Sequence, residues 1–174
     1  LIEYDDVMNK QREIIYSTRR EILETKDVTD SYKEMIERQL KGIVESFIRE
    51  KVKLADLDFE DLNQNILEML PGDFTFGSSQ FKTAQEAVET YVKEGLNSYG
   101  MLKRHYPPEF LEIEKIVYLQ TLDRRWVDHL HNMDMLREGI GLRAYAQKDP
   151  LLEYRIEGFE MFRMMLDSVE QDSI

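Results

Sequence analysis

The sequence predicts an all-α fold, on three observations. Each segment with regular apolar spacing repeats every 3.5 to 3.6 residues, the helical period. Only eight Gly and four Pro interrupt 174 residues, too few turn-formers for an all-β chain. Apolar residues make up 42% and charged residues 33%, enough to bury a core while solvating the outer faces of helices.

The elements follow in order. Leu1, Tyr4, Met8, Ile15 and Ile22, flanked by Val7 and Ile14, hold a spacing near 3.5 and define a helix through about Glu24. It opens at full amphipathic strength without a capping residue or an initiator Met, which reads as a longer helix severed from a parent chain. Ser31 with Glu34 forms a capping box for a second helix bearing Ile36, Leu40, Ile43, Val44, Phe47 and Ile48, to about Lys53. Asp58 caps a short helix with Leu62, Ile66 and Met69, which Pro71-Gly72 must end. Residues 73–82 read as loop. Thr83 with Glu86 opens a helix whose apolar side carries Ala87, Val88, Tyr91, Leu96, Tyr99 and Leu102, closed by Pro107-Pro108.

From Glu109 the stripe Phe110, Ile113, Val117, Leu119, Leu122, Trp126, Leu130, Met133 and Leu136 runs for about thirty residues, or ~45 Å. Gly139 suits the left-handed position after a helix end, and Asp149-Pro150 supplies an N-cap and first-turn proline for the last helix. Its stripe is Leu152, Ile156, Phe159, Phe162, Leu166 and Val169. A connection of about ten residues makes the last two helices an antiparallel hairpin.

The same residues exclude several kinds of chemistry. The formal charge of −12 opposes non-specific nucleic-acid binding. Zero cysteines remove disulfides, thiolate nucleophiles and Cys-ligated metals from this chain. No apolar run approaches the ~18 residues that cross a bilayer. There is no G-x-x-x-x-G-K-[ST] motif, and Gly139-Ile140-Gly141 lacks both the third glycine and the preceding strand of a dinucleotide fingerprint. His129 and His131 are two apart on a helix and diverge. Asp128 with His131 is a single i, i+3 pair where a di-iron bundle needs several ligands. No metal site is expected, and these read as surface polar residues. The acidic pairs Asp5-Asp6 and Asp128/Asp134 read as solvated faces.

The hairpin connection is less ordinary. Gly139 to Pro150 places Ile140, Leu142 and Tyr145 among basic and small residues. A helix C-cap contact accounts for Ile140, and Leu142 could fold back on the hairpin, but neither explains Tyr145. Met133, Met135, Met161, Met164 and Met165 concentrate in the two helices, as core filler or as an adaptable surface. Trp126 is the sole tryptophan and reads as a packing anchor, inside the hairpin or against another domain.

Four motifs occur in order: Leu1-Ile-Glu-Tyr-Asp-Asp-Val-Met-Asn-Lys-Gln-Arg; Leu119-Gln-Thr-Leu-Asp with Trp126 and His129-Leu130; Met133-Asp with Leu136-Arg; and Arg143-Ala-Tyr-Ala-Gln-Lys-Asp-Pro150 with Glu153-Tyr154. Together they resemble the C-terminal region of the SecA preprotein translocase family. The resemblance implies a long-helix scaffold with an antiparallel two-helix finger and an inserted helical wing. Residues 1–28 would be the downstream part of the long scaffold helix, 29–108 the wing, and 109–174 the finger region. Residues 29–108 diverge most from the family, and Ala144 stands where Gly often occurs.

By the same resemblance, Tyr145 is the fingertip residue that contacts the translocating polypeptide, flanked by Arg143, Gln147 and Lys148; Trp126, from its place in the stripe, is expected to serve interdomain packing. The chain itself would hold no cofactor and no catalytic residue. ATP and Mg would belong to the parent's motor domains and zinc to its C-terminal tail. Implied partners are the SecYEG channel, unfolded preproteins, the motor domains, an acidic membrane surface and a second copy in a homodimer, but no nucleic acid. The implied setting is the bacterial cytoplasm and the cytoplasmic face of the inner membrane. A free-standing helical adaptor for partner helices is the alternative that the stripes and methionines alone would allow.

Overall fold

The computed structural model describes residues 2–50, 53–143 and 149–174, with the side chains of Glu50 and Arg143 left out of the description. Among these residues there are six α-helices, two short 3-10 turns and no strand: α1 (Ile2–Glu24), α2 (Thr29–Glu50), α3 (Phe59–Met69), α4 (Ala84–His105), α5 (Phe110–Arg143) and α6 (Pro150–Ser173). The chain is all-α. It divides into two compact units, one formed by residues up to Lys26 with Ile113–Ser173, the other by Asp27–Glu112.

The Asp27–Glu112 unit is built on α2 and α4. Tyr32 and Tyr99 stack with ring centroids 6.3 Å apart. Gly95 lets the helices approach so closely that an added Cβ would lie 2.2 Å from Leu40 Cδ1. Below them Phe59, Phe74, Phe76, Phe81 and Tyr91 form a chain of ring contacts. The Asn63 side chain ties this cluster together, donating to the Phe76 carbonyl at 2.9 Å and accepting from the Tyr91 hydroxyl. Tyr91 is fully buried, and burial raises its pKa above the usual tyrosine range.

Capping explains most boundaries. Asp58 accepts from the Asp61 amide, Thr83 from the Glu86 amide, and Asp149 from the amides of Leu151 and Leu152. Two boundaries differ from the sequence reading. α2 begins at Thr29, because Asp27 accepts from the Thr29 amide and hydroxyl and starts the helix before Ser31 can cap it. α5 continues past Gly139 to Arg143. Ile140 is 1% exposed and packs with Met133, Leu136 and Tyr154, which holds the last turn helical and leaves Gly139 inside the helix. Leu142 is 76% exposed and does not fold back.

Candidate functional site: the three-helix seam of α1, α5 and α6

In the first unit α5 buries Leu122, Trp126, His129, Met133, Leu136 and Ile140, alternately four and three apart, with Glu114 and Thr121 buried beside them. This is the heptad spacing of a coiled-coil seam. On α1 the buried or half-buried series Tyr4, Met8, Gln11, Ile15, Thr18 and Ile22 has the same spacing, and α6 contributes Tyr154, Gly158, Phe162, Met165 and Val169.

Side-chain pairs fix the directions. Lys115 reaches the Leu23 carbonyl, Arg19 meets Asp123, Gln11 meets His129, and Arg137 meets Asp5. Partners therefore descend on α1 as α5 advances, so these helices are antiparallel. Arg125 meets Asp172, Trp126 and His129 meet Phe162, and Met133 meets Gly158, which makes α5 and α6 antiparallel as well. α1 and α6 run parallel, with Tyr4 against Tyr154 at 4.9 Å and Gln11 against Gly158.

Trp126 lies inside this seam, 7% exposed among Ile15, Ile22, Leu122, Phe162, Met165 and Val169. Its ring centroid is 5.6 Å from His129 and 6.4 Å from Phe162. The Arg19 guanidinium grips Asp123 with two hydrogen bonds, at 3.0 and 3.3 Å, and this pairing raises the Arg19 pKa. At the far end Arg137 sits 3.3 Å from Asp5 and 5.1 Å over the Tyr4 ring.

Mid-seam, three helices exchange polar contacts. The Gln11 amide nitrogen donates to the Gly158 carbonyl at 3.3 Å, and its oxygen lies 2.6 Å from His129 Nε2. A carbonyl can only accept, so the Gln11 amide must present its oxygen to His129, and the imidazole must carry its proton on Nε2. His129 is 2% exposed, and burial lowers its pKa to about 4. The expectation that His129 is a surface residue is thus wrong: its position seven residues from Leu122 and from Leu136 puts it on the seam, where the sequence reading placed Leu130. Gln11 and His129 are the residues that reading missed, and heptad position was the available signal.

A second correction concerns α6. Leu152, Ile156 and Phe159 are 52%, 57% and 62% exposed, while Tyr154 and Gly158 face the seam. Phe159 and the half-exposed Ile14 of α1 border an apolar groove edged by Lys10, Arg155 and Arg163. The methionines divide between roles: Met133 and Met165 are core, and Met135 and Met164 are exposed.

Of the expected tip residues, Arg143 supplies the final backbone turn of α5, and Tyr145, Gln147 and Lys148 lie outside the described residues. Among the described residues no three His, Asp or Glu side chains gather as a metal site, and no helix is long and apolar enough to cross a membrane.

The model of the SecA wing and scaffold domain matches residues 1–174, the whole chain. The chain belongs to the SecA wing and scaffold family. It is 37% identical to the protein translocase subunit SecA of Pelotomaculum thermopropionicum over 100% of its own length. It is 38% identical to those of Thermus thermophilus, over 99%, and Maridesulfovibrio salexigens, over 100%. It spans 20%, 18% and 20% of these relatives, about a fifth of their length.

Proposed function

We propose that this chain is the coupling region of a SecA motor: it transmits ATP-driven movement to the translocation of preproteins through the SecYEG channel, with the α5–α6 connection contacting the polypeptide. The observation that carries the reading is the family match along the whole chain. The seam supports it physically. A lever must keep its shape under load, and α5 and α6 are held to α1 by close-packed side chains, the paired bonds of Arg19 and the Gln11 junction. Interiors packed in this way have low compressibility and transmit strain.

The outward apolar residues of α6, Leu152, Ile156 and Phe159, suit contact with the motor domains, which would lie in the parent sequence outside this chain. Nucleotide and Mg would bind in those domains and zinc in the tail. The channel, unfolded preproteins, an acidic membrane surface and a second copy are the partners this reading assigns to the parent, at the cytoplasmic face of the bacterial inner membrane. The adaptor alternative explains the stripes but gives no reason for family likeness from end to end.

Tyr145 is the working residue in this reading, through size and apolar contact. A tyrosine ring offers a large amphipathic surface with few rotatable bonds and adapts to many sequences. Arg143, Gln147 and Lys148 would supply polar contacts beside it. In the intact motor, Tyr145→Ala lowers preprotein transport into SecY-containing vesicles by roughly tenfold, the loss typical of a removed aromatic anchor, and leaves basal ATP hydrolysis near its original rate. Tyr145→Phe transports normally. If Phe is as damaging as Ala, the hydroxyl is essential and the contact reading fails. If Ala transports normally, Tyr145 is not the tip residue.

A further inference from the structure

We propose that Gln11 and His129 form a register lock, a polar layer that allows the α5–α6 hairpin only one axial position on α1. The apolar layers of the seam are forgiving of slippage, and the ion pairs Arg19–Asp123 and Arg137–Asp5 that a slide would break are partly exposed and hold register only weakly. Met8, Ile15 and Ile22 on α1 recur every seven residues, as do Trp126, Met133 and Ile140 on α5. Away from Trp126, sliding one helix by a heptad replaces one apolar side chain of these sets with another of similar volume, a change that cores tolerate. The flexible thioethers of Met8, Met133, Met161 and Met165 would absorb what mismatch remains.

The Gln11 layer does not tolerate a slide. In register, the amide bridges two helices at once, to the Gly158 carbonyl on α6 and to His129 Nε2 on α5. Out of register, the His129 N–H and the Gln11 amide face Ile, Leu or Met side chains with no acceptor or donor, and a buried unmatched group bears its full desolvation cost. Gly158 adds a steric condition. A Cβ there would stand 2.8 Å from Met133 Cε, so a larger residue opposite this layer would displace the Met133 methyl, while Gln11 Nε2 at 4.0 Å would be in ordinary contact. A buried polar layer set between apolar layers fixes register and partner in coiled coils by the same physics.

Gln11 and His129 are therefore positioning residues. The test reads register separately from stability. The chain has no cysteine, so spin labels can be placed at Leu23→Cys on α1 and Met135→Cys on α5, both half-exposed or more, in the intact parent polypeptide with any other cysteines changed to serine. Leu23 is level with Lys115, so the labels are separated axially by roughly 30 Å, and each turn of slide moves their separation by about 5 Å. The native protein gives one narrow distance peak, and so does Gln11→Glu, which keeps the acceptor for His129. Gln11→Met combined with His129→Leu removes both polar partners at similar volume. It unfolds cooperatively near the native temperature yet gives a second peak, or a peak broadened by about 5 Å or more. One narrow native peak in the double variant overturns the lock. So does failure of the double variant to fold, because the layer would then be needed for stability and not for register.

Discussion

His129 shows how a residue's role depends on its layer. Its neighbours in sequence, Asp128 and His131, are exposed, and a two-residue histidine spacing has no chemistry of its own. Heptad position places it on the seam, and burial lowers its pKa from the ordinary 6.5 to about 4. The unfolded chain therefore binds more protons than the folded one between these two values, so stability rises with pH across that window and is lost as pH falls from 6.5 toward 4. The full span is worth about 3 kcal/mol at 1.4 kcal/mol per unit. Denaturant midpoints measured at pH 7 and pH 4.5 should fall by a correspondingly larger amount in the native protein than in His129→Leu, which has no group to protonate. Equal falls in both would show that His129 is not buried as a neutral ring.

At the scale of elements, helix existence was legible because periodicity and capping chemistry are local. Asp58, Thr83 and Asp149 cap where the sequence placed caps. The errors arose where tertiary contact overrides local preference. Gly139 looked like a helix end, but the burial of Ile140 one residue later carries α5 onward. The choice of Leu152, Ile156 and Phe159 as the inner face of α6 followed side-chain hydrophobicity, whereas the seam selects Tyr154 and Gly158 by shape. Glycine substitutions separate these cases. Gly139→Ala meets nothing within 4 Å and has no left-handed backbone, so it should stabilise by roughly 0.5–1 kcal/mol, as alanine does inside a helix. A loss of stability there would return Gly139 to the helix end. Gly95→Ala forces a Cβ to 2.2 Å from Leu40 Cδ1, and overpacking of that kind costs about 1–3 kcal/mol. Thermal unfolding of both variants in parallel reads the two signs.

For the whole molecule, family motifs carried more than composition could. Net charge and the missing cysteines excluded functions, but only the ordered motifs from Leu1 to Tyr154 pointed to SecA. The Gln11–His129–Gly158 junction was not legible because it joins residues 118 and 147 positions apart, and no local pattern reports such a meeting. Trp126 offers a spectroscopic check on the seam. At 7% exposure it should emit blue-shifted from free indole and resist iodide quenching. Emission like free indole in the folded protein would contradict the packing of α1, α5 and α6. The central claim is that the α5–α6 connection touches the moving polypeptide, and site-specific photocross-linking in the intact motor tests it most directly. A photoreactive residue at position 145 should give adducts with a stalled preprotein that require ATP. The same probe at Met135, exposed on α5 and about 12 Å before the helix end, should give none. Adducts from 135, or none from 145 while transport proceeds, would contradict the account.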